Sequence, residues 1–174
     1  MNKIFLALAV LSMGLFSSCD KCKDADCKNG ATCEKKVGDC NCAAFYEGFK
    51  CDTETRTRYN HNYTGTLEIP PSFPTMPTII AITSDGTVAS AQNYKIVVTT
   101  GQNSSTTIDI KGNLTSTTAF EIVRTKVPFS LVPGETEAFV SGTGVFAGDS
   151  CTADITIQLA LSGTAFTAKY AGAK

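Results

Sequence analysis

The sequence contains no tryptophan and a single histidine, His61. A hydrolase of the Ser-His-Asp type needs a histidine beside a nucleophile and an orienting carboxylate. His61 stands between two asparagines, so we expect a surface residue there. Glycine-rich fingerprints for phosphates or dinucleotides are also absent. These absences predict a protein that is not an enzyme, with no catalytic residues and no cofactor.

Charge of either sign is sparse and balanced, with 15 Lys and Arg against 16 Asp and Glu. Neither half of the chain is basic, which argues against a nucleic-acid partner. Glu135 and Glu137 are the only close pair of glutamates, and they flank a predicted turn. Glycosidases need two carboxylates facing each other across a cleft. An envelope hydrolase with an unmarked site is therefore kept only as a second alternative.

The N-terminus carries a signal rather than a folded domain. Lys3 precedes the apolar run Ile4–Leu15, which is shorter than the roughly 20 residues that span a bilayer. We assign residues 1–18 to a signal peptide. Ser18 before Cys19 resembles a bacterial lipoprotein signal, which implies cleavage there and acylation of Cys19, with palmitate among the acyl chains. Several acyl chains would hold the protein on a membrane. The alternative is an ordinary secretory signal with Cys19 as a thiol.

The lipoprotein resemblance implies a location. We expect the bacterial cell envelope, with the chain anchored by lipid in the outer membrane and facing either the periplasm or the cell surface. The membrane is then one partner, contacted through the lipid on Cys19.

Six cysteines are concentrated between Cys22 and Cys51, at gaps of four, five, six, one and eight residues. So short a segment cannot bury enough apolar surface to offset chain entropy, so disulfides must supply stability. Disulfides persist in oxidising compartments. The alternative is a zinc site, which uses paired Cys-x2-Cys motifs or histidines. The only such motif is Cys19–Cys22, so we expect no metal.

The same spacing resembles an EGF-like domain over residues 20–52. The Asn29-Gly30 turn before Cys33 fits, as does Gly48 three residues before Cys51. The resemblance implies three disulfides: Cys22–Cys33, Cys27–Cys40 and Cys42–Cys51. The acidic and Asx elements of calcium-binding members are missing.

Residues 53–174 show short alternating or β-branched runs separated by turn residues, and no segment has the apolar period of a helix. We predict a mostly β fold, with an antiparallel β-barrel or β-sandwich of about eight or nine strands following the disulfide-rich module. The predicted strands are Tyr63–Ile69, Thr78–Thr83, Tyr94–Thr100, Thr106–Leu114, Phe120–Arg124, Phe129–Val132, Glu137–Phe146, Cys151–Leu161 and Thr164–Tyr170.

Cys151 begins the clearest alternation in the chain. Apolar residues occupy every second position from Cys151 to Leu161, and the polar residues Thr152, Asp154, Thr156 and Gln158 alternate with them. Such a period of two indicates a strand with one buried face. We therefore predict a free buried thiol at Cys151, against the alternative of a Cys19–Cys151 disulfide.

Two further segments are predicted to be connections, one between the two domains and one within the β-domain. Asp52–Arg58 is polar and predicts a short hinge. Pro70–Pro77 holds four prolines and predicts a loop across one end of a barrel. The alternative for this loop is a docking tip formed by Phe73 and Met76.

The full layout resembles short Bacteroidetes lipoproteins with one EGF-like domain and a lipocalin-like β-domain. The residues that suggest it are Thr64-Gly65-Thr66, Val140–Gly144 and Lys169–Gly172. The resemblance implies a non-enzymatic, membrane-anchored lipoprotein whose EGF-like spacer presents the β-domain to a protein, a glycan or a small apolar ligand.

The alternative is a lipocalin-like carrier with an internal cavity, for which small residues in the last strands leave room: Ala153, Ala160, Ala165 and Ala168. Against it, Ile, Val and Phe side chains could fill the barrel completely. Nothing in the sequence identifies the ligand-binding residues.

Overall fold

The structure is a computed structural model that describes residues 21–70, 73–86, 90–101 and 106–174. The predicted signal peptide and Cys19 lie outside these residues. The chain divides into two compact units, which meet in sequence between Asp52 and Thr53.

The first unit has little regular structure. It contains a 3-10 helix at Lys21–Asp24 and three two-residue strands, β1 (Thr32–Cys33), β2 (Cys40–Asn41) and β3 (Tyr46–Glu47). Strands β1 and β2 pair antiparallel. Asn29 and Gly30 both have positive φ, as a turn at this dipeptide requires.

Three disulfides hold the first unit together. They join Cys22 to Cys33, Cys27 to Cys40 and Cys42 to Cys51. These are the three pairs that the resemblance implies. The Asn29 side chain also donates a hydrogen bond of 2.7 Å to the Cys51 carbonyl, which ties the turn to the last cysteine.

The second unit is a closed antiparallel barrel of eight strands, which resolves the choice between barrel and sandwich. Before the barrel come β4 (Thr53–Glu54) and a 3-10 helix at Thr55–Tyr59. The barrel strands are β5 (Asn62–Glu68), β6 (Met76–Ser84), β7 (Asn93–Thr100), β8 (Thr106–Leu114), β9 (Ala119–Pro128), β10 (Glu137–Ala147), β11 (Ser150–Leu159) and β12 (Ala165–Ala173).

Each barrel strand pairs with its neighbours in sequence, and β12 pairs with β5 to close the ring. The connections after β5, β7, β9 and β11 therefore share one end of the barrel, which we term the open end. The opposite end carries the helix at Thr55–Tyr59, and we term it the closed end.

The prediction of a separate strand at Phe129–Val132 is wrong. Strand β9 continues to Pro128, and the following residues form the connection to β10. Strand β9 also runs past its predicted end at Arg124, because it contains a β-bulge there: Val140 pairs with Thr125 but Gly142 pairs with Ile122, so β9 has one extra residue. The bulge shifts the buried positions from even to odd numbers, which interrupts the alternation that predicts the strand.

The barrel interior is built from the alternate residues of every strand, as the period-two pattern requires. In β11 these are Cys151, Ala153, Ile155, Ile157 and Leu159. Leu161 breaks this prediction: the strand ends at Leu159 and Leu161 is 75% exposed in the following turn.

Candidate functional site

Aromatic side chains fill the closed end of the barrel. Phe146 lies at their centre, with the Tyr59 ring stacked on it at 4.0 Å and the Phe120 ring at 4.8 Å between centroids. Tyr63 and Tyr94 approach the same ring at 5.8 and 6.2 Å. This half of the interior leaves no room for a ligand, because the rings occupy it.

The helix at Thr55–Tyr59 covers this aromatic cluster and is held by a buried arginine. The Arg56 guanidinium donates to the carbonyls of Asp85 (3.1 Å) and Asn93 (2.9 Å). Its Nε also lies 2.6 Å from the Glu54 carboxylate. The predicted polar hinge at Asp52–Arg58 is therefore only partly correct, since Thr55 and Arg56 are buried.

The ionisable side chains at the closed end are buried, and this shifts their pKa values. Burial raises the pKa of Tyr63 and of the Cys151 thiol, each to about 12. Cys151 is fully buried and carries a free thiol. A thiol held protonated in this way is a packing group rather than a nucleophile.

The open half of the barrel contains an apolar cavity of about 280 Å³. Its walls come from strands of the barrel and from the β9–β10 connection. The apolar lining includes Leu67, Ile69, Met76, Ile80, Val98, Ile108, Ile110, Val127, Phe129, Leu131, Val140, Ile155 and Ile157. The few polar side chains that line it are Thr78, Thr100, Ser130, Glu135 and Thr136.

The cavity exists because the strands in the open half of the barrel have no large rings at the inward positions that line it. Its inward positions carry branched aliphatic residues, which reach less far toward the barrel axis than tyrosine or phenylalanine. The four alanines that were expected from the sequence to leave room in the barrel differ in their burial. Ala153 and Ala168 are buried, whereas Ala160 and Ala165 lie at or near the β11–β12 turn and are not.

The segment around Phe73 borders the same end. Phe73 packs against Phe166 at 5.9 Å between ring centroids, and Phe129 approaches Phe166 at 6.0 Å. Met76 lines the cavity. Phe73 and Met76 are half-buried in these contacts, which does not favour the projecting docking tip considered from the sequence.

Among the residues that the structure describes, Glu135 is the one charged residue that lines the cavity, and it is only 8% exposed. Its Oε1 accepts a hydrogen bond from the Ser162 amide (2.9 Å) and its Oε2 accepts one from the Leu161 amide (3.1 Å). Although burial raises the pKa of Glu135, these amides and the Ser162 hydroxyl lower it below its ordinary value overall. The carboxylate thus joins the β9–β10 and β11–β12 connections and stays ionised near neutral pH.

A second concavity, of about 340 Å³, lies on the outer surface of β10, β11, β12 and β5. Short polar side chains and mixed charges line it, among them Thr66, Glu68, Thr143, Thr152, Asp154 and Lys169. It is open to solvent and lacks the enclosed apolar walls that bind small ligands.

The residues considered for catalysis stay apart. His61 is exposed and its ring meets the edge of Tyr63 at 6.4 Å. Glu137 pairs with Lys126 on the outer surface, whereas Glu135 faces the cavity. In the part of the chain that the structure describes, no group of three His, Cys, Asp or Glu side chains could hold a metal ion.

Comparisons with known proteins identify no family for this chain. No protein-family model matches the sequence, and no curated protein matches it. A solved structure, a "putative outer membrane protein" from Bacteroides fragilis, is similar with a TM-score of 0.44 and 12% identity. The similarity covers 70% of this chain and 54% of that one, so the matched part spans about half of that protein.

Helices in the described ranges are all too short or too polar to cross a membrane.

Proposed function

We propose that this protein is a non-enzymatic envelope lipoprotein whose β-barrel binds a small apolar ligand in its open half. The observation that carries the proposal is the apolar cavity of about 280 Å³ inside the barrel. Ligand pockets in proteins begin at about 300 Å³ and are mostly apolar with a few placed polar groups. At about 280 Å³ this cavity lies just below that range, and its lining has that composition.

Packing energetics support a ligand in the cavity. Side chains that line an empty space lose the dispersion contacts that a filled core provides, and each loss reduces the free energy of unfolding. Water gains little along the apolar walls of the cavity, since it needs polar partners there. An apolar ligand would restore the missing contacts, and its binding would stabilise the fold.

The envelope location rests on the sequence signal and the disulfides. Three disulfides in the first unit require an oxidising compartment. A lipoprotein signal ending before Cys19 would supply the anchor. We propose that residues 20–52 are an EGF-like spacer and that residues 53–174 are a lipocalin-like binding domain, with the membrane as the partner of the lipid on Cys19.

Binding without turnover follows from the chemistry of the cavity. Hydrolysis needs a nucleophile or an activated water held by an acid and a base. The ionisable side chain at the cavity, Glu135, donates no proton when ionised, and two backbone amides lower its pKa, which makes it a weak base. We therefore propose that the barrel holds its ligand and releases it unchanged.

Two matched valine substitutions in β7 test the proposal. Val98 lines the cavity, whereas Val97 points to the outer face of the barrel. The Val98→Phe ring would occupy the cavity, and the Val97→Phe ring would not. The probe is N-phenyl-1-naphthylamine, a neutral compound whose fluorescence rises in apolar surroundings, added to the protein secreted into an oxidising compartment.

We expect the wild-type protein and Val97→Phe to bind the probe with similar affinity, and Val98→Phe to lose at least tenfold. Thermal unfolding of each protein verifies that it is folded. Equal binding by both variants, or no binding by the wild type to this probe or to any compound of a neutral apolar panel, would contradict the proposal.

A further inference from the structure

We propose that the ligand carries a hydrogen-bond donor, an amine or a hydroxyl group, and that Glu135 selects such ligands over anionic amphiphiles. This inference rests on the proposed function, because it concerns the same cavity. It specifies the ligand as an apolar body with one donor group that reaches the β9–β10 connection.

The acceptor chemistry of Glu135 is the first argument. An ionised carboxylate offers about four lone-pair positions and no donor. The Leu161 and Ser162 amides use two of them, one on each carboxylate oxygen. A further position is available to a donor that arrives with a ligand. The same donors fix the carboxylate in place, so a ligand would meet an oriented acceptor.

Charge at the open end is the second argument. The four connections that meet there contain one charged residue in sequence, Glu135. The other residues that line the cavity are all uncharged. The nearest positive side chain along β9, Lys126, already pairs with Glu137 on the outer surface.

An anionic head group would therefore meet a fixed negative charge with no cation to compensate it. Charges interact strongly where water is partly excluded, and like charges at short range repel. A cationic amine gains a hydrogen bond and the attraction of two opposite charges, whereas a neutral alcohol gains the hydrogen bond to the carboxylate alone. The expected order of affinity is amine, then alcohol, then carboxylate.

Three compounds with the same eight-carbon chain separate these contributions: octylamine, 1-octanol and octanoate. Their affinities are measured at pH 7 by displacement of N-phenyl-1-naphthylamine from the wild-type protein. We expect octylamine to bind at least tenfold more tightly than octanoate, with 1-octanol between them.

Glu135→Gln removes the charge at the cavity, and Glu137→Gln removes an equal charge outside it. We expect Glu135→Gln to bring the octylamine and octanoate affinities within about threefold of each other, while Glu137→Gln keeps the wild-type ratio. The 1-octanol affinity of each variant shows whether the cavity itself has survived.

The outcomes distinguish this inference from the function on which it rests. If the probe binds but octanoate competes as well as octylamine, Glu135 does not select the head group, and the carrier function stands. If neither the probe nor any of the three compounds binds, the carrier function is wrong as well. The wild-type ratio decides between these outcomes even if Glu135→Gln does not fold.

Discussion

The Tyr170 hydroxyl donates a 2.6 Å hydrogen bond to the main-chain carbonyl of Tyr63, across the pairing of β12 with β5 that closes the barrel. Tyr63 differs in this respect. Its own hydroxyl is buried and has no hydrogen-bond partner among the described residues. Of these two tyrosines on neighbouring strands, Tyr170 therefore has a hydrogen-bonded hydroxyl, and Tyr63 has a buried hydroxyl without a hydrogen bond.

This difference predicts opposite effects of removing each hydroxyl. Tyr170→Phe should lower the free energy of unfolding by about 1–2 kcal/mol, because it removes a hydrogen bond inside the protein. Tyr63→Phe should leave stability unchanged or raise it, because it removes a polar group that is buried without a partner. Urea unfolding of the two variants measures both changes, and an equal loss in both would contradict the assignment.

Gly144 makes room for an aromatic ring at the closed end. A Cβ atom at this position would lie 2.2 Å from Phe120 Cζ and 2.8 Å from the Thr152 carbonyl oxygen. Gly144→Ala should therefore destabilise the barrel by about 1–3 kcal/mol through overpacking. Gly86→Ala is the control, since a Cβ atom at Gly86 would meet no described atom within 4 Å. Thermal unfolding should separate the two, and similar midpoints would show that Phe120 adapts without cost.

Arg56 is predicted to hold the helix at Thr55–Tyr59 onto the barrel. Arg56→Met removes the donor that bonds the Asp85 and Asn93 carbonyls and leaves Glu54 without this ion pair, at a cost of about 3 kcal/mol. Arg58→Met changes an exposed arginine two residues later and should cost less than Arg56→Met, because interactions of exposed charges are weak. Hydrogen exchange of the Thr55–Tyr59 amides would report release of the helix in the first variant alone.

Stability should fall in alkaline solution. Burial raises the pKa of Cys151 from 9.0 and that of Tyr63 from 10.0, each to about 12, and it also raises the pKa of Tyr94 and Tyr170. The unfolded chain then releases these protons at lower pH than the folded protein does, so the free energy of unfolding decreases as pH rises. The contribution is complete below about pH 9 and is lost progressively from there to about pH 12.

Urea midpoints at pH 7, 9, 10 and 11 measure this decrease, and tyrosinate absorbance should appear together with unfolding for the buried tyrosines. Tyr63→Phe removes one of the contributions and should flatten the dependence. A midpoint that stays constant to pH 11 would contradict the expected decrease.

The strand pattern of the barrel could be predicted from sequence because each strand has one apolar face. The alternation from Cys151 to Leu159 located β11 and its buried side correctly. The pattern failed in β9, where the bulge at Val123 and Arg124 moved the buried positions from even to odd numbers. A bulge is a property of two paired strands, so a single strand's sequence does not reveal it.

The cavity and the role of Glu135 could not be predicted from the sequence, because both depend on how the strands are arranged in the barrel. Glu135 looked like an ordinary turn residue, because nothing local indicates that its carboxylate meets amides 26 and 27 positions away. The position of Glu135 at the cavity follows only from the topology, which brings the β9–β10 and β11–β12 connections together at the open end. Arg56 was missed for a similar reason: a Thr-Arg-Thr-Arg sequence suggests a solvated linker, and its burial comes from carbonyls in a distant connection.

The strand order has a consequence for how the barrel forms. Seven of its pairings join strands that are neighbours in sequence, and only the β12–β5 pairing joins distant ones, with Ala173 opposite Thr64. Hairpins close quickly because their loops are short, whereas a long loop costs more chain entropy and slows folding. We expect the kinetic barrier to lie at this single closure, with the hairpins assembling before it and the Tyr170–Tyr63 bond forming last.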